Sequence, residues 1–394
     1  MTLPPADENS APDEECRLLH ELQATPALFE QISHSSGSEL SLQSVLRRQY
    51  PDDLVRMAVS LHQLRMKGRG KFTRADRMWF DRLGLEQSTA EVVSRYKAQR
   101  FEGPVWDLCC GIGSDAISLG TRCDVIAVDI HAPNCLRTLW NAQAYDVADR
   151  IETHCMDVRH LSALRNLVHI DPDRRPGSAG RVSRIEDYVP GLEFLQELMG
   201  RCRGGAIKVS PASNFGGKFP DAEIELISLN GECKEATVWF GDLARDALFR
   251  ATVLPAGESI SGHPLEVAVP VTPLGQFLYD PDPSVVRAGL IDVLAHRLGL
   301  SRLDSAEEYL TADHLIQSPF IQSFEVVANL PNNDKELKAW LRKSSIGQLE
   351  IKCRHIPIQA DSLRRRLPLN GSERGVVVFA RLDGKARIVG AKRA

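Results

Sequence analysis

A chain of 394 residues, 43% apolar and 25% charged with a formal net charge of −4, has the balance of an ordinary soluble protein and room for two or three domains. No run approaches the ~20 apolar residues of a membrane helix, and the acidic, Pro-rich start from Met1 to Glu15 is unlike a signal peptide, so a cytoplasmic protein with no membrane partner is expected. Nine scattered cysteines without a C-x-x-C pair argue against a disulfide framework or a zinc site, and for buried reduced thiols and no bound metal.

Thr2 to Glu15 reads as a disordered lead. Beyond it, apolar residues recur at three- and four-residue spacing, in Leu18, Leu19 and Leu22 and again in Leu54, Ala58, Leu61 and Leu64, which predicts a helical domain over 16–100. Leu40–Leu46 and Thr89–Val93 extend the helical count, Pro51 fits the first position of a helix, and Gly68-Arg69-Gly70 interrupts the pattern. Arg65–Arg82 carries seven Arg or Lys against two Asp, with Phe72, Trp79 and Phe80 interleaved. That mixture suits a phosphate backbone with unstacked bases; the competing reading is a solvated basic loop whose aromatics are packed away.

Over 101–272 the pattern changes to short apolar runs that each end in a polar turn. Pro104–Leu108 enters Cys109-Cys110-Gly111-Ile112-Gly113, Asp124–Asp129 ends in an acid, Ile151–Met156 precedes Asp157, and Leu167–Ile170 opens Asp171-Pro172-Asp173-Arg174-Arg175. Helical stretches, Ser114–Thr121 and Ala132–Asp146, lie between them. Strand, helix, strand in this order predicts an α/β, doubly wound parallel sheet that gathers its ligands at the carboxyl ends of the strands. A helix over Tyr188–Gly200, a fifth strand over Gly205–Ser210 and a hairpin, Ala222–Leu229 and Glu235–Phe240 about Asn230-Gly231, complete the segment.

The glycine turn also bears on the cofactor. A dinucleotide site uses G-x-G-x-x-G to bring backbone N–H groups against a pyrophosphate. Here Ser114, Asp115 and Ala116 follow Gly113, and Asp107 and Asp115 flank the turn, a setting that disfavours phosphate. S-adenosyl-L-methionine has no phosphate, but its amine, sulfonium and ribose suit nearby carboxylates; a nicotinamide dinucleotide is the runner-up.

Residues 273–319 read as a bridge with a helix over Pro283–Leu298 and a second over Ala306–Leu315. Residues 320–394 alternate strand (Phe324–Ala328), helix (Asp334–Lys343), strand (Gln348–His355), helix (Gln359–Leu367) and a hairpin (Gly375–Arg381, Lys385–Lys392) about Asp383-Gly384, a small α/β module. From Lys335 to Ala394 there are 15 Lys and Arg against 5 Asp and Glu, a surplus of 10, which leaves −14 for the rest of the −4 chain. Such asymmetry suits a polyanion-facing module on an acidic enzyme, with Arg364-Arg365-Arg366 as its densest point; the alternative is a solvated charged face.

Through Asp107-Leu-Cys-Cys-Gly-Ile-Gly113 and the strand-terminal acids the chain resembles class I S-adenosylmethionine-dependent methyltransferases with a Rossmann-like sheet, with Cys109 where their first motif has a glycine. By that resemblance Asp107, Cys109, Gly111 and Gly113 hold the methionine end, Asp129 with Ile130 beside it the ribose side, and Asp157 with the Val158 backbone the adenine edge. Together with Lys71-Phe72, Gly84-Leu-Glu-Gln87, Asp171-Pro172-x-Arg174 and Gly347-x-Leu-Glu-Ile-Lys352, the layout is similar to bacterial methyltransferases that carry a C-terminal THUMP-like domain, which implies RNA, tRNA or rRNA, as the partner. The core also resembles the trimethylguanosine synthase group, through the same glycine turn and Asn141–Glu152, but has Asp173-Arg174 where those enzymes have a proline and then an aromatic. Asp171-Pro172-x-Arg174 is reminiscent of uracil-C5 RNA methyltransferases too, yet Lys208-Val-Ser-Pro-Ala-Ser213 lacks their cysteine nucleophile.

The expected chemistry is direct in-line methyl transfer, governed by positioning. Asp171 orients or deprotonates the acceptor, Pro172 and Asp173 shape the turn, Arg174 or Arg175 contacts an anionic group of the substrate, and Arg364, Arg365 and Arg366 bind RNA. An internal Asp171–Arg174 pair that only shapes the turn is the structural alternative. Methylation of a small molecule or protein, or a silent S-adenosylmethionine- or RNA-binding role, is the functional one.

Overall fold

The apolar periodicity at the front of the chain forms six helices, α1 (Glu14–Gln23), α2 (Pro26–Ser33), α3 (Glu39–Leu46), α4 (Asp52–Gly68), α5 (Arg82–Gln87) and α6 (Glu91–Ala98). The computed structural model describes residues 14–34, 39–161, 164–174 and 184–394. Residues 2–13 of the expected lead, and Arg175, lie outside the described residues, while Glu14 and Glu15 are the first turn of α1 rather than part of a lead. Pro51 caps α4 in an extended conformation, one position earlier than expected, and acids at Asp52 and Asp53 with Arg65 and Lys67 at the far end suit the helix dipole.

Phe72, Trp79 and Phe80 are only 4%, 8% and 5% exposed, so the basic, aromatic stretch does not offer a stacking platform for bases. Phe72 packs on Phe80 and Trp79 on Trp140, with ring centroids 5.8 and 4.7 Å apart. Three of its cations are also engaged internally: Arg65 lies over Phe29 and Trp79 and donates to the Met78 carbonyl, and burial pushes its pKa down to about 10. Lys71 donates to the Leu85 carbonyl and Arg74 to the Ala144 carbonyl.

The central sheet follows from β1 (Val105–Leu108), α7 (Ser114–Gly120), β2 (Val125–Asp129), α8 (Ala132–Ala144), β3 (Ile151–Cys155), β4 (Leu167–Ile170), α9 (Leu192–Arg201) and β5 (Gly204–Val209). These strands lie in the order β3-β2-β1-β4-β5, all parallel. The order reverses between β1 and β4, which makes the crevice beyond their carboxyl ends the expected ligand position. β6 (Glu223–Leu229) and β7 (Glu232–Gly241) flank the expected turn, with Asn230 and Gly231 at φ 54° and 79°, the left-handed pair of a type I′ hairpin.

The chain divides into two compact units, residues 1–222 with 237–245 and residues 223–236 with 246–394. In the second, β8 (Phe249–Leu254) runs parallel to β6, and β9 (Glu258–Gly262) antiparallel to β8. There follow β10 (Phe277–Pro281), α10 (Pro283–Arg287), α11 (Ile291–Leu298), β11 (Ser301–Arg302), β12 (Leu310–Ala312), β13 (Ile321–Pro331), α12 (Asp334–Lys343), β14 (Ile346–Cys353), α13 (Ala360–Arg364), β15 (Glu373–Leu382) and β16 (Lys385–Arg393). They form a seven-stranded sheet in the order β11-β12-β10-β13-β16-β15-β14. Two expected helices are corrected. The one over 283–298 is broken at Gly289, which takes φ 70°. That over 306–315 is a turn and β12, because the Asp304 carboxylate accepts from the N–H groups of Ala306 and Gly384 and ties the segment to the β15–β16 turn.

Leu337 and Leu341 of α12, Leu363 of α13 and Leu367 just beyond it share one buried cluster with Val377, Phe379 and Ile388 of the sheet. Both helices therefore cover the same sheet face, and Arg364, Arg365 and Arg366 stand exposed at its rim. Among the described residues no helix is long and apolar enough to cross a membrane. All nine cysteines are free; Cys110, Cys123 and Cys135 are buried, but Cys155 is exposed and the rest are intermediate, so a fully buried set is not what forms.

Candidate active site

A cleft of about 300 Å³ opens beyond the carboxyl ends of β1, β2 and β4. Its lining brings together Asp107, Cys109, Gly111, Asp129, Ile130, Asp157, Val158, Asp171, Pro172, Asp173 and Arg174. Gly113, at φ 82°, sits one step behind the lining, where an added Cβ would lie 2.8 Å from the Thr138 side chain. Gly111, at φ 57°, has open space where a Cβ would point, so a ligand can approach its backbone. Cys109 also takes a positive φ, 58°, a conformation that costs a side-chain-bearing residue about 1 kcal/mol. Burial and the carboxylates of Asp129, Asp171, Asp107 and Asp157 push the Cys109 thiol well up, which leaves it a poor nucleophile.

Each acid has a distinct setting. Asp107, 1% exposed, bonds His169 Nδ1 through Oδ1 at 2.6 Å, while its Oδ2 is buried without a partner. Asp115 is not a ligand-selecting acid: Lys97 Nζ lies 2.9 Å from Oδ1, and Thr89 donates to Oδ2 at 2.6 Å. Burial works against its charge, but the Lys97 ammonium holds it well below the usual carboxylate range. Asp129 accepts from the N–H groups of Gly111 and His131 and from Asn134 Nδ2, at 2.9, 2.9 and 3.1 Å, so three of about four acceptor positions are filled and one remains. Asp157 caps the following turn and is chelated by the Arg159 guanidinium, whose hydrogen bond lowers its pKa.

At the fourth strand end, Asp171 does not pair with Arg174. Lys208 Nζ, on β5, donates to Asp171 Oδ2 at 2.6 Å and to Thr89 Oγ1 at 2.9 Å. The Asp171 side chain nevertheless stays 24% exposed. Asp173 is held by its backbone, in a bridge to Val189, and Arg174 has no ion pair among the described residues and lines the cleft.

The helical front completes the site. Asp81, Leu83, Gly84, Gln87 and Ser88 line the cleft, and an added Cβ at Gly84 would stand 2.4 Å from Ile112, so α5 lies directly on the glycine turn. Asn141 of α8, fully buried, accepts from the Trp79 N–H at 2.6 Å and donates to the Trp79 and Ile112 carbonyls at 3.0 and 2.8 Å. Lys97, Thr89, Asn141, His169 and Lys208 were not singled out by sequence reasoning. The available signal was a lone titratable residue inside an apolar strand, Val168-His169-Ile170 and Ile207-Lys208-Val209.

These residues fit S-adenosyl-L-methionine. The orphaned Asp107 oxygen matches its ammonium, the open Gly111 backbone admits close approach, and Ile130, 56% exposed in the lining, offers an apolar face to the adenine. Leu83 and Val189 are the other large apolar side chains in the lining that stand exposed, at 51% and 45%.

Known proteins share the family and the fold. Residues 103–174 match the family model for RNA cap guanine-N2 methyltransferases, and residues 321–393 the model for THUMP-like domains. Uncharacterized S-adenosylmethionine-dependent methyltransferases of two Mycobacterium tuberculosis strains, CDC 1551 and H37Rv, are 35% identical over 305 residues, covering 76% of this chain and 83% of theirs. A crystal structure of a protein from Porphyromonas gingivalis W83 described as a "putative methyltransferase" superimposes with a TM-score of 0.75 over 95% of this chain and 98% of that one, at 20% identity, a likeness of fold. The chain belongs to the S-adenosylmethionine-dependent methyltransferases and carries a THUMP-like domain over residues 321–393.

Proposed function

We propose that this methyltransferase acts on RNA, tRNA or rRNA, by direct transfer to a nucleophile of the nucleotide. The observation that carries the reading is the span of the match to RNA cap guanine-N2 methyltransferases, which runs from the first strand through Asp171-Pro172-Asp173-Arg174 and so takes in both the cofactor turn and the acceptor turn. The THUMP-like domain and its exposed Arg364, Arg365 and Arg366 support it, as phosphate contacts supply most of the affinity for nucleic acid.

When bound, S-adenosyl-L-methionine supplies a methyl group activated by its sulfonium. The chain's residues position it and the acceptor. Asp107 takes the ammonium, Asp129 a ribose hydroxyl, Ile130 the adenine face, and Asp157 with the Val158 backbone the adenine edge. Asp171, fixed through one oxygen by Lys208, accepts a hydrogen bond from the acceptor N–H or O–H and receives its proton. Pro172 and Asp173 set the turn, and Arg174, with Arg175 beyond the described residues, holds a substrate phosphate. Leu83 and Val189 supply apolar walls to a flat base. Among the described residues no Phe, Tyr or Trp lines the cleft; the rings in its lining are the imidazoles of His131, which is exposed, and the buried His169.

The test is nucleoside analysis of RNA from cells with and without the protein. One methylated nucleoside should vanish with the gene and return on treatment of that RNA with the purified protein and S-adenosyl-L-methionine. Identical nucleoside profiles would contradict the RNA assignment and leave a small molecule or protein as acceptor.

A further inference from the structure

One buried polar group of the first unit, His169, takes no part in the proposed transfer. His169 lies in the middle of β4, 1% exposed, where parallel register sets it opposite Asp107 of β1. A histidine buried between apolar neighbours costs desolvation unless both ring nitrogens find partners. Both do: Nδ1 is 2.6 Å from Asp107 Oδ1, and Nε2 is 3.3 Å from Lys97 Nζ.

The partners fix the proton. An ammonium has donors only, so Nε2 facing Lys97 must be the acceptor, and the ring proton sits on Nδ1 and is donated to Asp107. The alternative, a proton on Nε2 shared with Asp115 Oδ1, would span 3.7 Å and set an N–H against the Lys97 ammonium. With the imidazole neutral, the charge of the buried network is defined. Asp107, Asp115 and Asp171 stand against Lys97 and Lys208, linked through His169 and Thr89. One negative charge is left over; Asp171 is paired with Lys208 and its side chain reaches solvent, whereas the carboxylate with a buried unpartnered oxygen is Asp107, in the wall of the cleft. The network is complementary to one additional cation.

We infer that His169 is a cofactor-positioning residue: as a neutral imidazole protonated at Nδ1, it holds Asp107 Oδ1 so that Oδ2 is presented to the ammonium group of S-adenosyl-L-methionine. Lys97 acts behind it, by keeping Nε2 occupied and Asp115 neutralised. Truncation of His169 would free Asp107 to rotate and spend its second oxygen elsewhere, at a cost specific to ligands that carry an ammonium.

The test compares two probes by calorimetry, S-adenosylhomocysteine, which has the amino-acid end, and 5′-methylthioadenosine, which shares the nucleoside and thioether but has no ammonium. His169→Ala should weaken S-adenosylhomocysteine roughly 10- to 100-fold, the worth of a hydrogen bond to a charged group, and leave 5′-methylthioadenosine within about twofold. His169→Asn, whose amide can donate from the place of Nδ1, should recover most of the loss. A loss shared by both probes, no loss at all, or no recovery in His169→Asn overturns the inference. Should His169→Ala fail to fold, ¹⁵N spectra of the histidine-labelled wild-type protein decide: the buried resonance assigned to His169 should show a protonated Nδ1 and a bare Nε2, and an imidazolium or the opposite tautomer overturns it.

Discussion

Replacement of Asn141 by Leu tests whether the helical front and the glycine turn are one structure. Leu keeps the branched four-atom outline of Asn, so the main loss is polar pairing, with the bulkier methyl groups adding some crowding to the same destabilisation. Asn141 is fully buried and makes three hydrogen bonds, with the Trp79 N–H and the Trp79 and Ile112 carbonyls, and those residues are 8% and 2% exposed, too little for water to replace it. A buried group stripped of its partner costs about 1 to 3 kcal/mol. Three such losses with some relaxation amount to about 3 to 5 kcal/mol, a large share of the roughly 5 to 15 kcal/mol that keeps a domain folded. At about 2 to 4 °C per kcal/mol for a unit of this size, Tm should fall by roughly 10 °C. Differential scanning fluorimetry reads the shift, and saturating S-adenosylhomocysteine should restore part of it, as the proposed cofactor position on the turn that Asn141 secures requires. A fall under about 3 °C, or a large fall with undiminished ligand affinity, would refute the reasoning.

The remaining predictions concern the cleft and the basic rim. Asp171→Asn should lower transfer by about 10²-fold or more, as expected for a lost acid–base group, while S-adenosylhomocysteine affinity stays constant; retained turnover removes Asp171 from the chemistry. Burial pushes the Asp107 carboxyl up, and in the proposed site its ionised form takes the ammonium, so S-adenosylhomocysteine affinity should be full at high pH and decline as Asp107 takes up its proton, at a higher pH than an ordinary carboxylate. Asp107→Asn should abolish that decline, and a wild-type titration with no decline above the range of an ordinary carboxylate would contradict it. Cys109→Gly should relieve the positive-φ penalty and raise stability in urea unfolding by about 1 kcal/mol; a loss would mean that thiol packing outweighs strain. Reversal of Arg364, Arg365 and Arg366 to Glu should weaken RNA binding and reduce its salt dependence, and unchanged binding at low salt would make the rim a solvated face.

What could be read from the sequence was the position of strand ends. Asp129, Asp157 and Asp171 each close a short apolar run and Asp107 stands one residue before the end of another, and the parallel α/β order carries all four to one crevice. What escaped reading depends on register and on packing between distant segments. His169 and Lys208 gain meaning only because β4 pairs with β1 and β5, and Asp115 counts as a free acid until Lys97, from a helix 18 residues earlier in the chain, is placed against it. Composition alone made Arg65–Arg82 look like a nucleic-acid surface, since it does not tell which side of a segment faces inward; Phe72, Trp79 and Phe80 face the core. The helix expected over 306–315 failed for a similar reason, because the Asp304 carboxylate that caps the turn at Ala306 is itself tied to the N–H of Gly384, 80 residues away.

The central claim is methyl transfer to RNA, and it is tested most directly by incubation of the protein with labelled S-adenosyl-L-methionine and total RNA from cells that lack it, beside RNA from normal cells. Label should enter the deficient RNA and leave the normal RNA, already modified, nearly blank. No label in either, from protein shown separately to bind the cofactor, would contradict the account.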